Sequence, residues 1–287
     1  MRPMVQLNNN VQMPQEGIGV FQLTDFDECK NVILSALGKG YRLIDTAQIY
    51  QNERAVGAAI KESSVPRDEL FITTKVWLPF YGEQSTIKEV NASLERLGLD
   101  YLDLVLLHEP YGDYYGAYRA LEKLLKAQKV RAIGVSNFDE SQLLDLMHHM
   151  EVPPAVNQVE LNLYQQQAPL RQFQQKHGIA LEAWSPLGQA QEPILQEPLL
   201  RQLATKYQRT TAQISLRFLT QLGAIVIPKA ANDQHQVENL NLWDFQLTPY
   251  ECGQLAKLNK KQWLSPNRHL LSTTQHYMNL IDRSKNF

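Results

Sequence analysis

Eight short apolar runs recur along the chain, and each is followed by a longer amphipathic stretch. Runs rich in Val, Ile and Leu are typical of strands buried on both faces, as in a parallel sheet. They are Gly17–Phe21, Tyr41–Thr46, Leu70–Val76, Leu102–Leu107, Arg131–Val135, Ala155–Val159, Ile179–Trp184 and Ala224–Ile227. Eight strand–helix repeats without a composition break predict one (β/α)₈ TIM barrel, a single domain over residues 1–287.

Local signals give limits for several of the helices. Cys29, Val32 and Leu37 lie near helical spacing, which predicts a helix over 25–37 with Gly38 as its C-cap. The stretch 85–97 shows the same periodicity and is followed by Gly98. Asp139, with a glutamine three positions later, is typical of a capping box at a helix start.

The two ends of the chain lie outside the repeats. Val5–Leu7 and Val11–Met13 flank a run of three asparagines, which predicts an N-terminal β-hairpin placed to plug the bottom of the barrel. The segment after Asn259 mixes polar and apolar residues, and we expect a loop over the opposite rim.

Composition excludes several classes of function. Lys and Arg number 28 against 30 Asp and Glu, a net charge of −2, which does not favour a nucleic-acid or membrane-surface partner. Cys29 and Cys252 form neither a disulfide framework nor a zinc cluster, and we expect no metal site. The first ten residues lack the apolar region of a signal peptide, and no run is apolar enough to span a membrane. We therefore expect a cytoplasmic protein, and a monomer because no coiled coil stands out.

Three common catalytic signatures are incomplete. Gly17 and Gly19 begin a G-x-G-x-x-G dinucleotide motif, but Gln22 replaces its third glycine. The segment Gly134–Phe138 begins like a nucleophile elbow without the closing glycine, which argues against a serine hydrolase. A sugar-processing barrel such as an isomerase would need paired carboxylates or a metal site, and neither is evident.

Four polar residues occur at or just after the ends of three neighbouring predicted strands. Asp45 closes the second run, Tyr50 follows it by five positions, Lys75 ends the third run and His108 follows the fourth. Each of them alone is compatible with a structural role. Parallel topology places all of these strand ends on one rim of the barrel, where titratable residues are typical of catalysis.

This set of residues suits proton donation by a phenol. The pKa of tyrosine is near 10, and a neighbouring ammonium lowers it. Lys75 is placed to do so, with Asp45 anchoring the lysine through a charge-assisted hydrogen bond. His108 is a candidate for holding a carbonyl oxygen or relaying the proton. The set fits polarisation of a carbonyl while another group delivers hydride.

In combination these motifs resemble the aldo-keto reductases, and most closely the prokaryotic branch that includes 2,5-diketo-D-gluconate reductase-like enzymes. The motifs that carry the resemblance are Tyr41–Ala47 with Tyr50, Thr74–Trp77, Leu106–His108, Gly134–Phe138, Asn157–Glu160, Trp184–Gly188 and Ile227–Lys229. The resemblance implies an NADPH-dependent oxidoreductase that reduces aldehydes or ketones to alcohols. Tyr50 would be the general acid, supported by Asp45, Lys75 and His108.

The resemblance also implies a cofactor site for NADPH, with NADH as a second candidate. Ser136, Asn137 and Gln158 would bind the nicotinamide carboxamide, Trp184 would stack on its ring, and Lys229 would meet the 2′-phosphate. Helix capping, core packing and a solvated lysine are the competing interpretations of these positions. The full set of candidate cofactor residues is Val20, Phe21, Asp45, Ser136, Asn137, Gln158, Trp184, Ser185, Leu187, Lys229, Ala230, Asn232, His235, Glu238 and Asn239.

Departures from the family pattern bear on specificity. Ala230 and His235 stand where the family usually has serine and arginine, so we expect a weakened preference for NADPH over NADH. The candidate substrate pocket comprises Phe21, Tyr50, Trp77, His108 and Glu109. A carboxylate from Glu109 at the pocket edge would disfavour acidic substrates, unless it faces solvent. The alternative function is a catalytically weak, NADPH-binding regulatory or structural barrel.

Overall fold

The eight predicted strands form one parallel sheet in a computed structural model of the chain, which describes residues 3–190, 193–268 and 270–284. Neighbours in sequence are neighbours in the sheet, as in a (β/α)₈ barrel. The strands of this sheet are β3 (Ile18–Gly19), β4 (Leu43–Asp45), β5 (Phe71–Val76), β6 (Leu102–Leu107), β7 (Val130–Ser136), β8 (Val156–Glu160), β9 (Ala180–Trp184) and β10 (Ile225–Val226). The predicted fold class is confirmed.

The first and last strands of the sheet meet and close it into a barrel. Glu16 pairs with Val226 in a parallel bridge, and the Gly17 amide donates to the Val226 carbonyl at 2.9 Å. A Cβ at Gly19 would lie 2.9 Å from the carbonyl oxygen of Ile227. Glycine at this position therefore allows the two edges to approach closely enough to close the barrel.

The N-terminal hairpin occupies the amino end of the barrel, as predicted. Its strands are β1 (Met4–Gln6) and β2 (Gln12–Pro14), and they pair antiparallel. Leu7 and Met13 are buried in a cluster with Leu43, Phe71 and Leu104, which come from the barrel strands. The hairpin therefore closes the amino end of the barrel over an apolar core.

Eleven helices occur in the described part of the chain: α1 (Phe26–Lys39), α2 (Glu53–Glu62), α3 (Glu83–Leu97), α4 (Tyr114–Lys126), α5 (Glu140–His149), α6 (Ala168–Lys176), α7 (Pro198–Tyr207), α8 (Thr211–Gln221), α9 (Asp233–Leu240), α10 (Pro249–Ala256) and α11 (Leu271–Ser284). The predicted C-cap at Gly38 is wrong, because α1 continues to Lys39 and Gly40 adopts the left-handed conformation, with φ 101°. Gly98 and the Asp139 capping box occur as predicted.

The C-terminal segment passes over the carboxyl end of the barrel, as expected, but it is more than a loop. Residues 260–268 form an irregular strap, and α11 then packs near the short 3₁₀ turn Leu78–Phe80. The helix α11 was not predicted, because it buries few of its side chains and its sequence therefore mixes polar and apolar residues. Within the described residues, every helix is too short or too polar to cross a membrane.

Candidate active site

A cavity of about 870 Å³ opens at the carboxyl end of the barrel strands. This is the end where βα loops build the active sites of (β/α)₈ enzymes. Predicted residues that line the cavity are Phe21, Asp45, Tyr50, Trp77, His108, Glu109, Ser136, Asn137, Gln158, Trp184, Ser185, Leu187 and Lys229. The folded chain therefore brings together residues that are more than 200 positions apart in sequence.

A buried ion pair lies at the floor of this cavity. Lys75, on β5, donates from Nζ to Asp45 Oδ1 at 2.5 Å and to the Thr46 carbonyl at 3.1 Å. The Lys75 side chain is fully buried and that of Asp45 is 4 % exposed. Burial works to lower the pKa of Lys75, but Asp45 and Tyr50 raise it, and the net shift is upward. Lys75 is therefore a permanent cation under the cavity.

Tyr50 ends a short 3₁₀ turn, Gln48–Tyr50, just after β4, so that its ring lies above the ion pair. The Lys75 Nζ is 5.2 Å from the ring centroid. Burial is the largest influence on the pKa of Tyr50 and raises it, whereas the charge and hydrogen bond of Lys75 lower it. Lys75 therefore acts on the phenol as predicted, but burial outweighs it and the net shift of the pKa of Tyr50 is upward. The charge of Asp45 also raises this pKa and so offsets part of the effect of Lys75.

His108 completes the group and is neutral at pH 7. Burial lowers its pKa well below 6.5, and the positive charges of Lys75 and Arg268 lower it further. Its ring packs edge-on against Tyr50 at 5.8 Å and against Trp77 at 5.0 Å between centroids. A neutral imidazole carries one N–H, so His108 can donate a hydrogen bond to a carbonyl oxygen but is not itself a charged acid.

Gln158, in the middle of β8, presents its amide to the cavity. Its Nε2 donates to Asp45 Oδ2 and to Glu182 Oε2, both at 2.8 Å. Both N–H groups are thereby used, and among the described residues no donor approaches its Oε1, which can accept from a ligand amide. The Ser136 hydroxyl beside it donates to the Gln158 carbonyl at 2.9 Å.

Asn137 connects the candidate cofactor platform to the substrate side of the cavity. Its Oδ1 accepts from Trp184 Nε1 at 2.9 Å, and its Nδ2 donates to the His108 carbonyl at 3.2 Å and to Glu109 Oε1 at 3.1 Å. Trp184 lines the cavity with its ring only partly buried, as a stacking platform requires. These bonds fix the indole and the amide relative to one another.

Lys229 lies at the other end of the cavity, where its Nζ donates to Gln22 Oε1 at 3.0 Å. This exposed cation suits a phosphate. Asn232 caps α9 by accepting from the amides of Gln234 and His235. The remaining candidates do not line the cavity: Val20 and Ala230 are buried, and His235, Glu238 and the buried Asn239 lie on α9.

Two residues of the site, Arg268 and Glu182, were not predicted from the sequence. Arg268, from the C-terminal strap, lines the cavity and pairs with Glu109 through two bonds of 2.7 Å. Glu182, on β9, is a fully buried acid beside Gln158. A single glutamate inside an apolar run was the available signal for Glu182, whereas the sequence offers none for Arg268, since its partner lies 159 positions away.

Comparison with known proteins gives a consistent result. The sequence profile of the Aldo/keto reductase family matches residues 17–260. The chain is 46 % identical over 258 residues to the 9,11-endoperoxide prostaglandin H2 reductase of Trypanosoma cruzi, covering 89 % of this chain and 91 % of that protein. It is 45 % identical over 268 residues to the glyoxal reductase of Bacillus subtilis, covering 93 % and 96 %. A Bombyx mori aldo-keto reductase solved in complex with NADP superposes with a TM-score of 0.88 at 34 % identity, covering 92 % and 95 %.

The site combines a buried Asp–Lys pair, a phenol and an imidazole in one cavity of a parallel barrel. The chain that builds it is similar to aldo-keto reductases over most of its length. The chain belongs to the Aldo/keto reductase family. The family that its motifs resemble is confirmed, and the narrower 2,5-diketo-D-gluconate reductase-like branch stays a prediction.

Proposed function

We propose that the protein is an NADPH-dependent oxidoreductase that reduces small aldehydes and ketones to alcohols. One observation carries the proposal: Tyr50 and His108 face the same cavity directly above the buried Lys75–Asp45 pair. Relatives named glyoxal reductase and methylglyoxal reductase support small dicarbonyls as substrates. A retired, purely regulatory barrel would have no need for all four groups, so the alternative function is not favoured.

The residues around the cavity fit the cofactor. The free carbonyl of Gln158 matches a carboxamide N–H₂, the Trp184 indole offers a flat face, and Lys229 offers a cation for phosphate. We propose that Ser136 and Asn137 complete the carboxamide contacts, and that His235, Glu238 and Asn239 reach the adenosine end. When bound, the cofactor supplies hydride to the carbonyl carbon.

The protein's own residues then handle the proton and the oxygen. His108, as a neutral N–H donor, holds the carbonyl oxygen, and Tyr50 donates its phenolic proton to that oxygen as negative charge develops there. Lys75 stabilises the phenolate left behind, and Asp45 keeps the ammonium in place. A ligand that excludes water strengthens the Lys75–Tyr50 attraction, which favours this transfer.

Tyr50→Phe tests the proposal. NADPH consumption with methylglyoxal should fall by about 10²-fold or more, since general acid catalysis is worth about 10²–10⁴. Quenching of tryptophan fluorescence by NADPH should remain, because the change removes one hydroxyl. Tyr101→Phe is the matched control, since Tyr101 precedes β6 at the amino end of the barrel. Near-parental turnover in Tyr50→Phe would contradict the assignment of the acid.

Three further expectations stay proposals of ours: one domain over the whole chain, a monomeric state and a cytoplasmic location. One apolar cluster that joins strands and helices from Ile18 to Ile281 supports the single domain. Two free cysteines are consistent with a reducing compartment.

A further inference from the structure

A bidentate ion pair between Glu109 and Arg268 forms part of the cavity wall. Arg268 donates from Nε to Glu109 Oε2 and from Nη2 to Glu109 Oε1, both at 2.7 Å. The two side chains are 5 % and 11 % exposed, for Glu109 and Arg268 respectively. A nearly dry, two-bond geometry of this kind holds both charges firmly and makes the pair neutral as a unit.

The hydrogen bonds that Glu109 and Arg268 already make determine which of their groups are left for a ligand. Glu109 Oε1 also accepts from Asn137 Nδ2 at 3.1 Å and from the Tyr277 hydroxyl at 3.3 Å, so this oxygen accepts three hydrogen bonds in all. Of the five N–H groups of Arg268, two are used by Glu109 and one by Ser265 Oγ at 3.0 Å. Within the described chain the other two have no partner. The pair therefore offers donors without net charge.

The charges of the pair act on the reacting region. Burial dominates the pKa shifts of Tyr50 and His108, but the charge of Glu109 also raises the first and that of Arg268 also lowers the second. The guanidinium carbon of Arg268 lies 5.8 Å from the Trp184 ring centroid. An imbalance between the two charges would consequently be felt by a substrate in the cavity.

The position of Arg268 is built into the C-terminal strap. Glu160 accepts from the backbone amides of Leu264 and Ser265 at 2.8 and 3.2 Å, and the Tyr111 hydroxyl donates to the Arg268 carbonyl at 3.1 Å. The family profile ends at residue 260, so residues 261–268 of this strap lie beyond the family match.

We propose that the Glu109–Arg268 pair is a specificity determinant that selects uncharged, oxygen-bearing carbonyl substrates and rejects carboxylated ones. The inference rests on the proposed carbonyl reductase activity. A hydroxyl or carbonyl oxygen of the substrate accepts hydrogen bonds from the two free N–H groups of Arg268. No charged group of the substrate has to lose its hydration for these bonds to form. A substrate carboxylate must lose its hydration next to a wall that carries no net positive charge. The uncompensated desolvation weakens its binding. The effect depends on the balance of the pair, not on Glu109 alone.

A series of charge variants tests this. The substrates are succinic semialdehyde and its methyl ester, which differ in charge at nearly equal shape, and the readout is the ratio of their kcat/KM values with NADPH. The wild type should favour the ester. Glu109→Gln leaves a net positive wall and should shift the ratio about tenfold or more toward the acid. Arg268→Gln leaves a net negative wall and should shift it in the opposite direction, and the double variant should return close to the wild-type ratio.

The outcomes separate the two proposals. A ratio that is the same in all four proteins, or a double variant that keeps the ratio of Glu109→Gln, would overturn the role of the pair while leaving the reductase activity intact. No oxidation of NADPH by the wild type with either substrate or with methylglyoxal would refute the proposed function, and the specificity role with it. Should Glu109→Gln fold poorly, Arg268→Gln carries the test alone through the sign of its shift.

Discussion

Glu182 lies in the barrel interior directly below the candidate site, and its protonation should control stability at neutral pH. The side chain is fully buried and accepts a hydrogen bond from Gln158 Nε2 at 2.8 Å. Burial and the nearby charge of Asp45 raise the pKa of Glu182 from 4.5 to about 8. At pH 7 the folded protein therefore holds a carboxylic acid where the unfolded chain holds a carboxylate.

The sign and size of the effect follow from proton linkage. Between pH 4.5 and about 8 the folded state binds a proton that the unfolded state has lost, so the free energy of unfolding falls as pH rises. The slope is about 1.4 kcal/mol per pH unit, and the whole window is worth on the order of 5 kcal/mol. The favourable contribution is complete below the unfolded pKa and is lost as pH rises through the folded one.

Glu182→Gln removes the titration but retains an oxygen that can accept from Gln158. We expect the variant to be close to the wild type in stability near pH 5 and more stable by about 3 kcal/mol at pH 7. Urea unfolding at several pH values between about 5 and 8 measures the difference. Glu95→Gln is the control, since Glu95 is exposed on α3. Parallel curves for Glu182→Gln and the wild type would show that this acid is not protonated in the folded state.

Three other variants test the cofactor end of the cavity and the packing of the helices. His235→Arg, at an exposed position in the first turn of α9, should raise the ratio of kcat/KM for NADPH over NADH about tenfold, because a guanidinium binds phosphate through two bonds; an unchanged ratio would place the 2′-phosphate elsewhere. Gly57→Ala should lower the free energy of unfolding by about 1–3 kcal/mol, because its Cβ would lie 2.3 Å from the Leu97 carbonyl oxygen. Gly253→Ala adds a Cβ that meets open space on α10, so it should instead raise the free energy of unfolding by about 0.5–1 kcal/mol. Thermal unfolding of both variants distinguishes the steric clash at position 57 from the effect of helix propensity at position 253.

The strands and the four central site residues could be predicted because they depend on local patterns. A strand buried on both faces has to be apolar, and its limits therefore appear in the sequence. Once the strands are parallel, residues at their carboxyl ends must share a rim, which brought Asp45, Lys75 and His108 together without knowledge of the fold. Sequence was sufficient wherever one residue's environment followed from its immediate neighbours.

Properties that depend on distant contacts could not be predicted in this way. The carboxylate of Glu109 was expected to act as a free anion or to face solvent, and it does neither, because Arg268 reaches it from 159 positions further along the chain. The raised pKa of Tyr50 has the same origin, since burial is set by the whole cavity wall. Hydrophobic periodicity does not fix the last residue of a helix to within one turn, so it could not distinguish Gly38 from Gly40 as the C-cap of α1.

Backbone strain is found at the carboxyl end of the barrel, where the site lies. Gln22, Asn137 and Ser185 all adopt positive φ just after barrel strands, a conformation that costs non-glycine residues on the order of 1 kcal/mol each. Glycine would remove that cost at position 137. It would also remove the amide that joins Trp184, the His108 carbonyl and Glu109. Asparagine tolerates the left-handed conformation and supplies these bonds, so the residue at this position is explained by the site it organises and not by the stability of the loop.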